Sequence, residues 1–243
     1  MQPIPVFPRS RRLLSILALI AIVIAVGVSQ ITLSDVATDR STSRLEKALP
    51  DPATDILAST AKGEQTVVLA GGCFWGVEGV FEHVKGVSDV VSGYAGGSAA
   101  TAHYPIVSLG QTNHAESVKI TYDPAQISYA QLLKIYFSVA HDPTQLNRQG
   151  PDSGTQYRSA IFFANSEQKR VAQTYIDQLN QAQTFRESIV TQLTPLNEFY
   201  PAEEHHQNFI THHPNHPYVV VHDLPKLKQL EAQFSDQYKN QAS

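Results

Sequence analysis

Residues 66–83 read TVVLAGGCFWGVEGVFEH, and this stretch decides how the fold begins. Its first five residues are apolar and rich in β-branched side chains, which predicts a short buried strand. Gly71 and Gly72 interrupt that pattern, and the apolar residues after them recur at helical spacing, which predicts a helix. These apolar residues are Phe74, Val77, Val80 and Phe81. The pattern is therefore strand, glycine turn and helix, with Cys73 at the start of the helix.

Further strands and helices follow in an irregular order. The predicted strands cover residues 87–94, 117–122, 159–164 and 188–193. Helices are predicted from Ser128 to Ala140, from Asn165 or Ser166 to about residue 182, and over residues 224–238. Because no regular βαβ period is present, the pattern favours an α+β fold. We expect a two-layer sandwich with a ferredoxin-like core, in which helices pack on a mixed, mainly antiparallel sheet, preceded by one N-terminal hydrophobic helix.

The N-terminal segment has the pattern of a membrane-targeting sequence. Three arginines, Arg9, Arg11 and Arg12, precede an uncharged apolar run over residues 13–28. Positive charge before the run predicts that the N-terminus stays inside and that the rest of the chain is exported. Residues 1–33 are thus predicted to be a signal anchor that keeps the rest of the chain on the membrane. A cleaved signal peptide, which would leave a secreted or periplasmic protein, is the alternative.

The segment after the apolar run is polar and poor in aromatic residues. Residues 34–64 are therefore predicted to be a flexible linker. The folded domain is predicted to cover residues 65–243.

The composition restricts the classes of partner and cofactor. The formal net charge is -4, so no basic face for nucleic acid is indicated. Cys73 is the one cysteine in the chain, which excludes an intramolecular disulfide and any metal site built from several cysteines.

Cys73 is the first candidate for chemistry. A thiol at a helix N-terminus lies close to unpaired N–H groups and to the positive end of the helix dipole. We therefore expect a lowered pKa and a reactive thiolate. A buried structural cysteine is the alternative, because free cysteine is among the most buried residue types.

Several motifs resemble one known family. Residues 72–76 read GCFWG, which resembles the signature of the A-type peptide methionine sulfoxide reductases. GYAGG at residues 93–97 and YPIVSLGQTNHAE at residues 104–116 are similar to further motifs of that family, in the same order. YDP at 122–124, HDPTQ at 141–145 and NRQGPDSGTQYRS at 147–159 also match. The resemblance begins near Thr66 and covers the rest of the chain.

The resemblance implies an activity and roles for particular residues. The activity is reduction of methionine S-sulfoxide in proteins, or as the free or blocked amino acid, for repair after oxidative damage. Cys73 corresponds to the nucleophile, and Glu116 to the acid that protonates the sulfoxide oxygen. Tyr104 and Tyr157 correspond to phenols that hydrogen-bond this oxygen. The remaining roles go to Asp152, which helps to hold the site, and to Phe74 and Trp75, which receive the substrate's methyl group.

The chain departs from many family members near its C-terminus. Pro217-Tyr218-Val219 has valine where some members have a cysteine that attacks the sulfenic acid. The chain therefore resembles the single-cysteine subset, in which an external thiol must restore Cys73. Thioredoxin, glutaredoxin or a small thiol fits this role. No bound cofactor is implied, and we expect a monomer that acts on oxidised proteins and peptides.

Other interpretations concern the histidines and the reaction. Five histidines crowd residues 205–216, but we expect them to be solvated or hydrogen-bonded rather than to bind a metal. A one-cysteine thiol peroxidase would also form a sulfenic acid, and a membrane-tethered binding module for oxidised proteins is a non-enzymatic alternative. An acid and phenols at the cysteine would favour the reductase over the peroxidase, and loss of activity in Glu116→Gln with binding retained would separate catalysis from recognition alone.

Overall fold

A six-stranded sheet forms the centre of the protein in a computed structural model that describes residues 48–56 and 63–240. The strands are β1 (Gln65–Gly71), β2 (Val87–Ala95), β3 (Ala115–Tyr122), β4 (Arg148–Gln149), β5 (Asp152–Ser153), β6 (Ser159–Phe163), β7 (Gln192–Pro195) and β8 (Phe199–Pro201). The sheet order is β7-β6-β1-β3-β2-β8, and β4 pairs with β5 in a separate two-stranded sheet. All neighbours in the large sheet are antiparallel except β6 and β7. The mixed, mainly antiparallel α+β architecture expected from the sequence is thus confirmed.

The helices begin where the sequence supplies capping residues. They are α1 (Phe74–Glu82), α2 (Tyr104–Val107), α3 (Tyr129–Ile135), α4 (Ser166–Gln181), α5 (Phe209–His212) and α6 (Leu224–Gln233). Ser128 and Gln131 form a reciprocal capping box at the start of α3, and Asn165 caps α4 by accepting the backbone N–H of Gln168. Such side chains satisfy N–H groups that have no partner within the helix. A π-helical turn at residues 136–140 continues α3, so the predicted end at Ala140 is confirmed.

The glycine turn between β1 and α1 fixes the position of Cys73. β1 is the buried centre of the sheet, because it pairs with both β3 and β6. Gly72 has a φ of 93°, a conformation that favours glycine, and a side-chain carbon there would lie 2.6 Å from Gln149. A side chain at Gly71 would collide in the same way with His141. The chain can therefore turn tightly from the end of β1 and place Cys73 directly before α1.

Two predicted elements near the C-terminus differ from the structure. The strand expected over residues 188–193 starts later, as β7, and the short edge strand β8 was not predicted at all. The last helix ends at Gln233 rather than at Tyr238, because Phe234 leaves the helical region. The following residues return to the end of α1, where Tyr238 pairs with Val84. Pairing with distant segments decided both outcomes, and local periodicity does not encode such pairing.

Part of the predicted linker packs on the domain. Leu49 is 3% exposed, and Asp51 forms an ion pair of 2.6 Å with Lys134 of α3. The phenol of Tyr175 on α4 donates to the carbonyl of Pro50 at 2.9 Å. Residues 48–56 therefore do not behave as the flexible linker expected over 34–64. A single buried leucine and a few hydrogen bonds hold them, which composition alone does not reveal. The other residues of the predicted linker lie outside the described residues, except 63 and 64.

Replacing Leu49 with alanine should test this packing. We expect the free energy of unfolding to fall by about 2 kcal/mol or more, because a buried leucine is removed from a packed site. Thermal and urea denaturation of the full chain would measure the change. Ala48→Ser is the control, since Ala48 is exposed and its substitution should change stability little. Equal stabilities for the two variants would show that Leu49 does not hold the segment.

The described residues contain no helix that is both long and apolar enough to cross a bilayer. The hydrophobic helix and signal anchor predicted over residues 1–33 lie outside the described residues.

Candidate active site

The nucleophile proposed from the sequence lies at the N-terminus of α1. Cys73 is the residue before the first helical position, and the residue as a whole is partly exposed. The backbone N–H of Trp75 hydrogen-bonds the sulfur and favours the thiolate. This is the local arrangement that the sequence pattern predicted.

The expected lowering of the Cys73 pKa is not what the structure gives. Burial, followed by the negative charges of Glu116 and Asp223, raises the pKa of the thiol well above its usual value. The N–H of Trp75 and the charge of Lys226 act in the opposite direction but are weaker. Desolvation penalises the charged form of any acid, so here it outweighs the helix terminus. Cys73 is therefore a thiol rather than a thiolate at neutral pH.

Glu116 on β3 lies against the same helix start. Its Oε2 accepts the backbone N–H of Phe74 at 3.1 Å, so its carboxyl lies beside the residue that follows Cys73. The side chain is only 2% exposed, and burial raises the pKa of Glu116 to about 8 despite this hydrogen bond. A carboxyl with that pKa is protonated at neutral pH. Glu116 can therefore donate a proton, which is the role that the resemblance to the family implied for it.

Two phenols share the site with this carboxyl. Tyr104 begins α2, and Tyr157 ends a 3-10 turn at Thr155–Tyr157; both side chains are partly buried. Burial, then the charge of Glu116, raises the pKa of each phenol, and the charge of Cys73 adds to this. The backbone N–H of Tyr104 donates to Glu203 at 2.9 Å, which fixes the start of α2. Both phenols therefore keep their protons at neutral pH, and a protonated phenol is able to donate a hydrogen bond.

Asp152 contacts Tyr218, a residue from the C-terminal part of the chain. Its Oδ2 accepts a short hydrogen bond from the phenol of Tyr218. The charge of Asp152 also acts on Glu116 and on both Tyr104 and Tyr157. This effect adds to burial, which is the main cause of the raised pKa of all three groups.

The two aromatic residues after Cys73 have different environments. Phe74 is 1% exposed and packs against the rings of Tyr94 and His206, with centroids 5.9 and 5.2 Å away. Trp75 is partly exposed and stacks on Phe209, with parallel rings 3.6 Å apart. Phe74 is therefore part of the buried packing under the site, whereas Trp75 is partly exposed and forms part of the wall of the site.

Several residues of this wall were not identified from the sequence. Tyr218, His206 and Phe209 all contact Trp75 through their rings. His206 is 3% exposed and also packs on Tyr104, with centroids 4.4 Å apart. The one available signal was the position of Tyr218, directly before the valine that replaces a cysteine in the family pattern. That cysteine would have to reach Cys73, so its neighbours must lie close to the site.

The histidine cluster at residues 205–216 divides between the site and the surface. His206 is buried against Tyr104, and burial lowers its pKa, whereas His212 and His213 are exposed. Within residues 48–56 and 63–240, no group of three or more histidine, cysteine, aspartate or glutamate side chains is placed to hold a metal ion.

Known proteins share both the sequence and the fold. The family model described as peptide methionine sulfoxide reductase matches residues 65–238. The peptide methionine sulfoxide reductase MsrA 2 of Synechocystis sp. is 57% identical over 202 residues, which are 82% of this chain and 94% of that protein. MsrA 2 of Mesorhizobium japonicum is 58% identical over 178 residues, which are 73% of this chain and 91% of the relative.

Two solved structures resemble the described fold. The reduced form of Mxr1 from Saccharomyces cerevisiae gives a TM-score of 0.57 at 32% identity and covers 63% of this chain and 88% of that chain. Methionine sulfoxide reductase A of Corynebacterium diphtheriae gives 0.54 at 34% identity and covers 69% and 84%.

The thiol, the protonated carboxyl and the two phenols lie together at the start of α1, and this arrangement is suited to a thiol-dependent oxidoreductase. Within that class, the match over residues 65–238 assigns the substrate. The chain belongs to the peptide methionine sulfoxide reductase family and to its A type. It reduces methionine sulfoxide to methionine, a reaction that repairs oxidised proteins.

Proposed function

We propose that Cys73 carries out this reduction by direct attack on the sulfoxide sulfur of the S epimer. The single observation that carries the proposal is the hydrogen bond from Phe74 N–H to Glu116, which holds a protonated carboxyl beside the thiol. Sulfoxide oxygen is a poor leaving group until it is protonated or strongly hydrogen-bonded. Glu116 supplies the proton, and Tyr104 and Tyr157 stabilise the developing charge.

The overall step transfers one oxygen atom. Cys73–SH and R–S(O)–CH3 become Cys73–SOH and R–S–CH3, so sulfur of the substrate is reduced while Cys73 is oxidised to a sulfenic acid. Asp152 and Tyr218 hold the rim of the site through their hydrogen bond. Trp75, supported by Phe74 and stacked on Phe209, forms the apolar wall that receives the methyl group.

We propose that an external thiol restores the enzyme, because Cys73 has no second cysteine in the chain to react with. A first thiol R′SH converts Cys73–SOH to the mixed disulfide Cys73–S–S–R′ and water. A second R′SH releases R′S–SR′ and regenerates Cys73–SH. Thioredoxin, glutaredoxin and small thiols all fit this chemistry, and no bound cofactor takes part.

Single-turnover reduction tests the proposal directly. Pre-reduced protein is mixed with an excess of blocked methionine S-sulfoxide and no added thiol. We expect one equivalent of methionine product, with Cys73 trapped as a sulfenic acid by a dimedone-type reagent. No product with an intact thiol would contradict the mechanism. Several equivalents of product would contradict the need for an external thiol.

The reaction should be confined to one sulfoxide epimer. A wall formed by Trp75, Phe209 and Tyr218 on one side, and the acid and phenols on the other, leaves one arrangement of methyl, oxygen and side chain. The resemblance to the A-type family implies that this is the S epimer, which we expect to be reduced at least about 100-fold faster than the R epimer, equivalent to about 2.7 kcal/mol. Chiral chromatography of each purified epimer after reaction would measure this. Equal rates would contradict the two-sided pocket.

The detailed fold is also a proposal. β1, β2, β3 and β6 lie in the order β6-β1-β3-β2, all antiparallel, with α1 between β1 and β2, and α3 between β3 and β6. This order supports a ferredoxin-like core in a two-layer sandwich.

We propose that the enzyme acts as a monomer, which analytical ultracentrifugation would test.

We further propose that residues 1–33 anchor the enzyme in a membrane, with residues 65–243 on the extracytoplasmic side. The support is the uncharged apolar run over residues 13–28 and the arginines before it. After cell fractionation, the full-length chain should stay with the membranes through an alkaline wash and be accessible to protease from outside. A shortened chain in the soluble extracytoplasmic fraction would instead support a cleaved signal peptide, and a cytoplasmic chain would contradict both.

A further inference from the structure

An ion pair between a buried aspartate and a partly exposed lysine lies beside the first turn of α1 and takes no part in the mechanism described above. Asp223, the residue before α6, is 0% exposed, and its Oδ1 is 3.4 Å from the ammonium of Lys226. Its second oxygen, Oδ2, has no hydrogen-bond partner among the described residues. A buried carboxylate that is only half satisfied costs stability, so its presence calls for an explanation.

The pair contacts the first turn of α1, the helix that begins directly after Cys73. A side-chain carbon at Gly76 would overlap both the Oδ1 of Asp223 and the Nζ of Lys226. Glycine at this position therefore lets both charged groups approach the backbone of α1, three residues after Cys73. Helices α1 and α6 also contact each other directly, which supports this arrangement.

The two charges act on Cys73 in opposite directions. The carboxylate of Asp223 disfavours the thiolate, and the ammonium of Lys226 favours it. The other groups around the sulfur are acids or neutral donors, namely Glu116, Tyr104, Tyr157, Tyr218 and the N–H of Trp75. Lys226 is thus the one positively charged group that acts on the thiol in the described part of the chain.

We propose that Asp223 and Lys226 are positioning residues that act through Cys73 and set the reactivity of its sulfur. The ammonium stabilises the thiolate, and the carboxylate holds the ammonium against α1 while moderating its effect. Stabilising the thiolate matters twice in each cycle. Cys73 attacks the sulfoxide as a nucleophile, and it leaves as a thiolate when the second external thiol attacks the mixed disulfide.

The rate of alkylation by iodoacetamide tests this proposal in the full-length chain. Cys73 is the only cysteine, so the reaction reports on this sulfur alone. The rate at pH 7 follows the fraction of thiolate. Lys226→Met should react about threefold to tenfold more slowly than the wild type, because a neighbouring positive charge is lost. Asp223→Asn, which keeps the shape of the buried group, should react faster by a similar factor.

Opposite shifts separate an electrostatic role from a structural one. Damage to packing would move both variants in the same direction, whereas the double variant should return close to the wild-type rate. Lys226→Arg should also keep the wild-type rate, since it keeps the charge. Lys134→Met is the matched control, because it removes a lysine from an ion pair on the surface, with Asp51. Any result other than opposite shifts for the two single variants overturns the proposal.

The proposal rests on Cys73 being the nucleophile, but its test does not depend on sulfoxide reduction. If alkylation shifts as expected while single turnover gives no product, the charge pair is supported and the proposed mechanism fails. If single turnover succeeds while alkylation is unchanged in both variants, the mechanism stands and the charge pair is refuted.

Discussion

Replacing Cys73 with serine is expected to abolish reduction of methionine sulfoxide. A serine hydroxyl is a much weaker nucleophile than a thiol, and it has no stable counterpart of the sulfenic acid that accepts the substrate's oxygen. We expect the single-turnover rate to fall by at least on the order of 10⁴-fold, to the background of the uncatalysed reaction. The yield of methionine from the blocked S-sulfoxide, measured by chromatography, gives the result.

The control for this variant is its structure. Serine is only slightly smaller than cysteine, and Cys73 is partly exposed. The circular dichroism spectrum and the melting temperature should therefore change only slightly. Reduction by a folded Cys73→Ser protein at a rate near that of the wild type would rule out the proposed mechanism. The oxygen would then have to leave through a group other than the thiol.

Glu116→Gln is expected to have the second largest effect. Glutamine keeps the size of the side chain and the oxygen that accepts the N–H of Phe74, but it cannot deliver a proton. We expect kcat to fall by about 10²- to 10⁴-fold, the usual contribution of a general acid, with a small change in KM. Steady-state kinetics with dithiothreitol as reductant would measure both constants. Retained binding without turnover would also distinguish catalysis from simple recognition.

Glu78→Gln is a matched control for this experiment. Glu78 on α1 is buried to a similar degree, and burial likewise raises its pKa to about 8. However, its charge does not act on Cys73, and its carboxyl accepts the backbone N–H groups of Asn208 and Phe209. We therefore expect Glu78→Gln to keep most of the activity. Equal losses in the two variants would show that burying a neutral amide, rather than losing the acid, lowers the rate.

The same acid predicts a pH dependence with a definite sign. The pKa of Glu116 is raised to about 8, so the carboxyl is protonated below that pH and charged above it. If the protonated form is required, the single-turnover rate should decline as the pH rises through about 8. Ionisation of the Cys73 thiol has the opposite effect on the rate. Glu116→Gln should therefore lose the decline near pH 8, and a decline that persists in this variant would assign it to another group.

The sequence predicted the local frame of the site. Strand, glycine turn and helix over residues 66–83 follow from short-range periodicity, and the structure places Cys73 at the helix start as expected. The caps of α3 and α4 were also predictable, since Ser128 and Asn165 hydrogen-bond within three residues of themselves. The order of the motifs resembled that of one family, and the comparisons confirmed the family.

Only the tertiary structure decided which residues meet and what their charges do. Glu116 lies 42 positions from Phe74, and Asp152 lies 66 positions from Tyr218, yet each pair is hydrogen-bonded. Such distances along the chain are set by sheet register and packing, which no local pattern encodes.

The state of Cys73 shows the same division most clearly. Its sequence position implies a helix terminus that favours the thiolate, whereas burial, with a smaller contribution from Asp223, makes the resting group a thiol. The contribution of the helix terminus is local, so the sequence alone determined it. Desolvation depends on every segment that packs around the sulfur, including the Asp223–Lys226 pair some 150 residues away. The size of the desolvation effect is therefore set only in the folded chain, where it exceeds the effect of the helix terminus on the pKa of Cys73.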